Sequence, residues 1–317
     1  MIRYEDLPAE RGAPPASSWG LWGAEDRLGA LNRLTPDRVL AAQRHVRSGE
    51  VVPLDLPTGL IDPPLFGRAA PTRHVTPLGP EQAAFDEIVD GWNAQAGSQW
   101  DGFGHVAEPG VGSYNGLARS EHGVDAWARH GIAGRGLLVD LPRWWASQGV
   151  TRDPMRRGEL TDAELTAAID AQAGTAADSS PQPGDILAIR TGWLSAYRSL
   201  SGDERISLAS VPVAESFGLA GTEQMAAALW DAEVAAVVSD NPSLEAWPPR
   251  GPAEPGRPAS LHRSLLARLG IPIGELWDLD TLADSCAQRG SYAFFCVSVP
   301  TTLPGALASP ANAVAIL

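Results

Sequence analysis

The chain has 317 residues, 44% of them hydrophobic, enough to bury a large core in one domain or two closely packed ones. A net charge of −14 and a pI near 4.8 give a surface that repels phosphate backbones and anionic lipid, which disfavours nucleic-acid binding and membrane docking. No apolar run reaches the length of a membrane span, the first residues lack the layout of a signal peptide, and the two cysteines make neither a disulfide framework nor a metal-binding spacing; a soluble, cytoplasmic protein is expected.

In chain order, residues 1–34 read as an extended, loop-rich N-terminal segment. Thr35 as N-cap and Pro36 at the first helical position open a helix that runs to Val46 and stops at Gly49. Residues 51–56 read as a strand, which Pro53 places at a sheet edge. Residues 57–84, rich in proline and glycine, read as a long surface loop of the kind used as a lid or a subunit contact, with His74 as a solvated loop histidine. Residues 124–130 form a short helix ended by Gly131, and residues 136–141 a strand buried on both faces. Thr161 and Glu164 make a capping box for a helix to Ala173; residues 185–190 are a second buried strand, closed by Thr191-Gly192. A helix over 223–230 leads into a third strand over 234–239, and 241–258 is proline-rich and irregular. This alternation argues for an α/β sheet with packed helices, and the absence of a repeat or sharp composition shift for one domain over 1–317. Cys296, in an apolar run, reads as a small core residue.

The polar residues concentrate in a few places. In the glycine-broken stretch 95–105, Gln99 and Asp101 share a side if the backbone is extended, and His105 follows beyond a turn. Two oxygen donors with an imidazole beside them suit a divalent cation and a proton-transfer group; the bland alternative is a loop whose Asp and Gln cap its own backbone. Trp100 and Phe103 flank Asp101 and are candidates to wall an aromatic substrate pocket, although most of the eleven tryptophans should fill core. His262 opens a helix ended by Gly270 and lies off its Leu261, Leu265, Leu269 stripe. Glu275 lies in an apolar segment where an unpaired carboxylate is costly to bury; Arg263, Arg268 or simple exposure would satisfy it as well as a metal. Asp240, at the end of the third strand, is a candidate to contact substrate or to form a turn. Arg190, at the end of the second, is a candidate to bind a substrate carboxylate or to pair with a structural acid. No phosphate-cradling glycine loop and no Gly-x-Ser-x-Gly elbow occurs.

The stretch 95–105 resembles the signature of the metal-dependent cyclase family, which includes bacterial kynurenine formamidase and isatin hydrolase. Of its pattern His-x-Gly-Thr-His-x-Asp-x-x-x-His, the matching positions here are Gln95, Gly97, Ser98, Gln99, Asp101 and His105, with glutamine in place of the first two histidines. Ser18-Trp19-Gly20, Gly29-Ala30-Leu31-Asn32, Gly184-Asp185-Ile186-Leu187 with Arg190-Thr191-Gly192-Trp193, and Ser309-Pro310 resemble the longer-chain branch of the family in the same order, so the resemblance spans nearly the whole chain. It implies a sheet-rich β/β/α architecture, a homodimer or homotetramer, and one divalent metal, zinc or manganese, held by Gln99, Asp101, His262 and Glu275. It also implies His105 as the proton-transferring group of a hydrolase acting through a metal-activated water on an amide, lactone or cyclic carbonyl compound. A polyketide-type cyclase, in which the metal stabilises an enolate, and a non-catalytic binding or scaffold homologue are the alternatives.

Overall fold

Three nearly continuous apolar runs, Ile132–Asp140, Ile186–Arg190 and Ala236–Ser239, lie side by side and parallel in the middle of a nine-stranded sheet, where both faces are covered. This computed structural model describes residues 2–8, 10–79, 81, 83–211, 213–249 and 260–317. Ile273–Glu275 joins the parallel set beside Ala236–Ser239, and antiparallel strands complete the sheet at both ends. Toward one edge stand Ala293–Ser298, Ala313–Ile316 and Val51–Pro53, and toward the other Gln99–Asp101 and Ala308–Pro310. The result is a mixed α/β fold whose sheet takes strands from both halves of the sequence.

Local chemistry accounts for several element ends. Thr161 Oγ1 accepts from Glu164 N at 3.2 Å and Glu164 Oε2 accepts from Thr161 N at 3.0 Å, the expected capping box of Asp162–Ala173. Thr222 caps Glu223–Asp231 in a simpler way, accepting from Met225 N at 3.2 Å. Thr35 makes no side-chain cap, so Pro36–Ala42 starts on its proline, and a tighter turn, Gln43–His45, finishes it short of Val46. The strand expected over 51–56 is Val51–Pro53, at the sheet edge.

Two expectations need correction or narrowing. The surface loop expected over 57–84 contains half of a hairpin, Thr72–Leu78 paired antiparallel with Ala84–Asp90, in which every residue is exposed. With both faces in solvent, apolar and polar residues carry no inside–outside alternation, and a strand reading has nothing to hold. His74 is one of its exposed residues, 3.2 Å from Asp90. The irregular stretch expected over 241–258 can be followed only to Pro249, because 250–258 lie outside the described residues.

Trp100 turns to the face of the sheet opposite Gln99 and Asp101. Trp100 is fully buried there, its ring edge-on to Trp277 at 5.0 Å and Trp127 at 6.3 Å, and its Nε1 donates to Ser298 Oγ at 2.9 Å. Opposite Trp100 in the ladder is Gly274, where a Cβ would stand 2.6 Å from both Trp277 Nε1 and Val238 Cγ1, so only glycine lets the indoles close. Cys296 is buried in its strand, and burial pushes its thiol up to about 12, an inert core position. Trp100→Ala should cost about 3–5 kcal/mol of stability by opening a cavity in this cluster, read as a lower midpoint in urea unfolding. An unchanged midpoint would place Trp100 outside the core.

Candidate metal centre

The strand Gln99–Asp101 places two polar side chains on one face and Trp100 on the other, because side chains alternate along a strand. Its ladder partner adds a third: Glu275 lies directly across from Gln99, and Gln99 Nε2 donates to Glu275 Oε2 at 2.5 Å. His262 arrives from above, at the start of the π-helical turn Arg263–Leu269. The far end of that turn is held by the N-terminal segment, which satisfies carbonyls the helix leaves open. Ser18 N donates to Arg268 O at 3.0 Å, Ser18 Oγ to Leu269 O at 2.8 Å, and Trp19 Nε1 to Ala267 O at 2.8 Å.

Ligating atoms of Asp101, His262 and Glu275 all lie within 4.8 Å of one another, and all three side chains are nearly inaccessible to solvent. His262 Nε2 stands 3.1 Å from Glu275 Oε1 and 3.8 Å from Asp101 Oδ2. Asp101 Oδ2, Glu275 Oε1 and Gln99 Oε1 are buried without a hydrogen-bond partner among the described residues. Two carboxylates that share one imidazole in a dry site are costly to keep charged, and a divalent cation between them removes that cost. Two carboxylates and one imidazole, with no thiolate, fit a divalent ion. Gln99 gives its amide nitrogen to Glu275, which steadies that carboxylate, while its own Oε1 is left without a hydrogen-bond partner among the described residues.

The supporting groups explain how the imidazole is aimed. Glu245, itself buried, faces His262 Nδ1 at 2.9 Å with Oε1, while its Oε2 accepts the backbone N–H of Leu261. A carboxylate on Nδ1 fixes the tautomer and leaves Nε2 for the cluster. On the other side, Gln95 Nε2 donates to Asp101 Oδ1 at 2.7 Å and lies 3.2 and 3.3 Å from the two ring nitrogens of His105. His105 Nε2 is 3.9 Å from Asp101 Oδ2, and its ring centroid is 6.4 Å from that of His262. Asp101, His105, Glu245, His262 and Glu275 all line one cavity of about 640 Å³.

Charges in this cluster act strongly on one another. Burial and the neighbouring Asp101 charge push the Glu275 carboxyl up to about 7. Burial would lower the His262 imidazole, but Glu245, Asp101 and Glu275 outweigh it and raise the ring well above the ordinary histidine value. Burial would also raise Asp101, and His262, His105 and Gln95 more than offset that, leaving it below the ordinary carboxylate value. His105 is lowered, chiefly by burial, with Asp101 only partly opposing.

Residues 61–246, more than half of the chain, match the family model described as "Putative cyclase". The chain belongs to the cyclase family. Its fold is close to a crystal structure described as a novel cyclase, with a TM-score of 0.80 and 29% identity over 95% of this chain and 99% of that one. Isatin hydrolase A from Labrenzia aggregata, bound to benzyl benzoate, shares the fold at a TM-score of 0.58 and 16% identity, over 90% of this chain and 98% of that one. The same enzyme from Ralstonia solanacearum does so at 0.56 and 15%, over 89% and 97%. Among curated proteins no relative matches.

Within this cyclase-family chain, four residues expected to bind substrate lie elsewhere. Trp100 points into the core, and Phe103 is buried against Tyr114 at 4.9 Å and Trp127 at 5.0 Å; neither walls the cavity. Arg190 is spent on acids: Nη1 donates to Asp140 and Nε to Asp280, both at 2.9 Å, beside a separate cavity of about 500 Å³. Asp240 accepts from Thr191 N at 2.6 Å, Thr191 Oγ1 at 2.7 Å and Gly192 N at 2.9 Å, which fixes the turn after Ile186–Arg190; burial pushes its carboxyl up to about 6. Sequence reasoning missed Glu245 and gave Gln95 no role beyond its place in the signature. The signal for Glu245 was an acid inside the apolar run Leu244-Glu245-Ala246-Trp247, where burial demands a partner.

Two outcomes test this centre. Without a cation the His262 ring is raised well above the ordinary histidine value and the Glu275 carboxyl to about 7, which favours their protonated forms, and metal binding needs the deprotonated ones. Metal uptake should therefore release protons, and affinity should climb as pH rises. Calorimetry in two buffers of different ionisation enthalpy reads the proton count, and a count of zero would remove Glu275 and His262 from the ligand set. Glu245→Gln should weaken metal affinity about 10–100-fold by freeing the imidazole to turn, measured by competition with a chelator.

Proposed function

We propose that this chain is a metal-dependent hydrolase that cleaves an amide, lactone or cyclic carbonyl compound. One observation carries the reading. Three convergent buried ligands share a cavity with a histidine that does not belong to their set but stands 3.9 Å from Asp101. A divalent cation held by Asp101, His262 and Glu275 would polarise a carbonyl and make water more acidic. His105 then has the proton to move. Gln95, donating to Asp101 and touching the His105 ring, sets the spacing between the acid and the base. Burial that lowers the His105 pKa keeps the ring neutral at pH 7, the form in which an imidazole accepts a proton from water and later passes it to the leaving group. Isatin hydrolases share this fold, so hydrolysis lies within its repertoire.

His105→Ala should lower kcat by about 10²–10⁴-fold while the protein keeps its metal, the usual range for a general acid–base group. Loss of metal together with activity would make His105 a ligand instead. Turnover in oxygen-18 water should place the label in the new carboxylate; turnover without incorporation would mark ring closure, and metal binding with no turnover on any carbonyl substrate would mark a scaffold.

A further inference from the structure

The cavity contains cations that its own acids do not explain. Arg68 and Arg263 both line it, and neither guanidinium makes an ion pair with a carboxylate among the described residues. Arg68 donates to the backbone carbonyl of Gln95 and lies over the Phe66 ring, 5.2 Å from its centroid. The Arg263 backbone N–H donates to Ser260 Oγ at 3.4 Å, and its guanidinium has no hydrogen-bond partner among the described residues. All 24 basic residues of this chain are arginines, and 38 acids surround them. Several arginines use that surplus, Arg190 reaching Asp140 and Asp280 and Arg198 reaching Asp278 and Asp280, whereas Arg27, Arg33, Arg38 and Arg205 donate to backbone carbonyls.

Neutralising the ligand cluster is not what these two side chains do. Arg68 is near enough to lower the Glu275 and His105 pKa values through space, yet it makes no contact with Glu275, whose Oε1 has no hydrogen-bond partner. Arg68, with Nη1 on the Gln95 carbonyl, keeps its remaining donors, and Arg263 has no side-chain partner among the described residues; the group that fits such donors is a carboxylate. Beside them Phe66 and Trp247 stand edge to face at 5.9 Å on the same wall, a surface for a flat ring.

We propose that the cavity selects organic anions, with an aromatic ring seated against Phe66 and Trp247 and its carboxylate gripped by Arg68 and Arg263. This rests on the hydrolase reading for the position of the reacting carbonyl, and the two can fail separately.

The test uses benzoate and benzamide, matched in shape and differing in charge, titrated calorimetrically into the metal-loaded protein. Benzoate should bind about tenfold tighter or more, and the preference should fall toward unity in Arg68→Gln and Arg263→Gln but persist in Arg263→Lys. Circular dichroism and metal content of each variant report that it is folded and loaded. Equal binding of the two probes by the natural protein overturns the proposal. So does a benzoate preference that survives both glutamine substitutions, since the carboxylate then sits on the ligand cluster. Hydrolysis of aryl formamides, lactones and isatin-like rings, with and without a carboxylate, is scored on the same preparations. No turnover of any of them, with a benzoate preference that follows the arginines, leaves the anion site standing and removes the hydrolase; turnover with no benzoate preference does the reverse.

Discussion

Two carboxylates buried side by side set the terms for this molecule. Asp101 and Glu275 come from neighbouring antiparallel strands, face the same way, and sit nearly out of reach of water. Like charges in a dry site repel, and each has an oxygen with no hydrogen-bond partner. The surroundings read as answers to that repulsion. His262 enters between them, Glu245 holds the ring's far nitrogen, and Gln99 and Gln95 each give an N–H to one carboxylate. Such an arrangement is poor at stabilising a fold and good at capturing a cation, because it stays electrostatically incomplete until one arrives.

The sequence was readable where periodicity or local chemistry applies. Period-two alternation put Gln99 and Asp101 on one side, and the buried parallel strands and the Thr161 capping box declared themselves by composition and spacing. The same alternation turns Trp100 to the opposite face, into the core and away from the cavity. Glu245 lies where no period operates, in a stretch whose course is set by distant contacts such as Asn241 O to Leu276 N, and nothing local announces its partner. The exposed hairpin Thr72–Leu78 and Ala84–Asp90 was hidden for a related reason, since a strand with water on both faces leaves no burial signature. The family resemblance supplied what local reading left open, the joining of residue 101 to residues 262 and 275.

The hold of Ser18 and Trp19 on the turn after His262 bears on how the centre comes into being. That hydrogen bond from Ser18 to Leu269 closes a separation of 251 residues, and Gln99 reaches Glu275 across 176. Closing a longer loop costs only about 0.6 kcal/mol per doubling, so stability scarcely suffers, but contacts of such range form late. A growing polypeptide thus has most of its central strands in hand while Asp101 still waits for its partners. The candidate cation pocket draws its residues from both halves of the chain, and any cation it takes up would meet a sheet whose central strands are already present in the polypeptide.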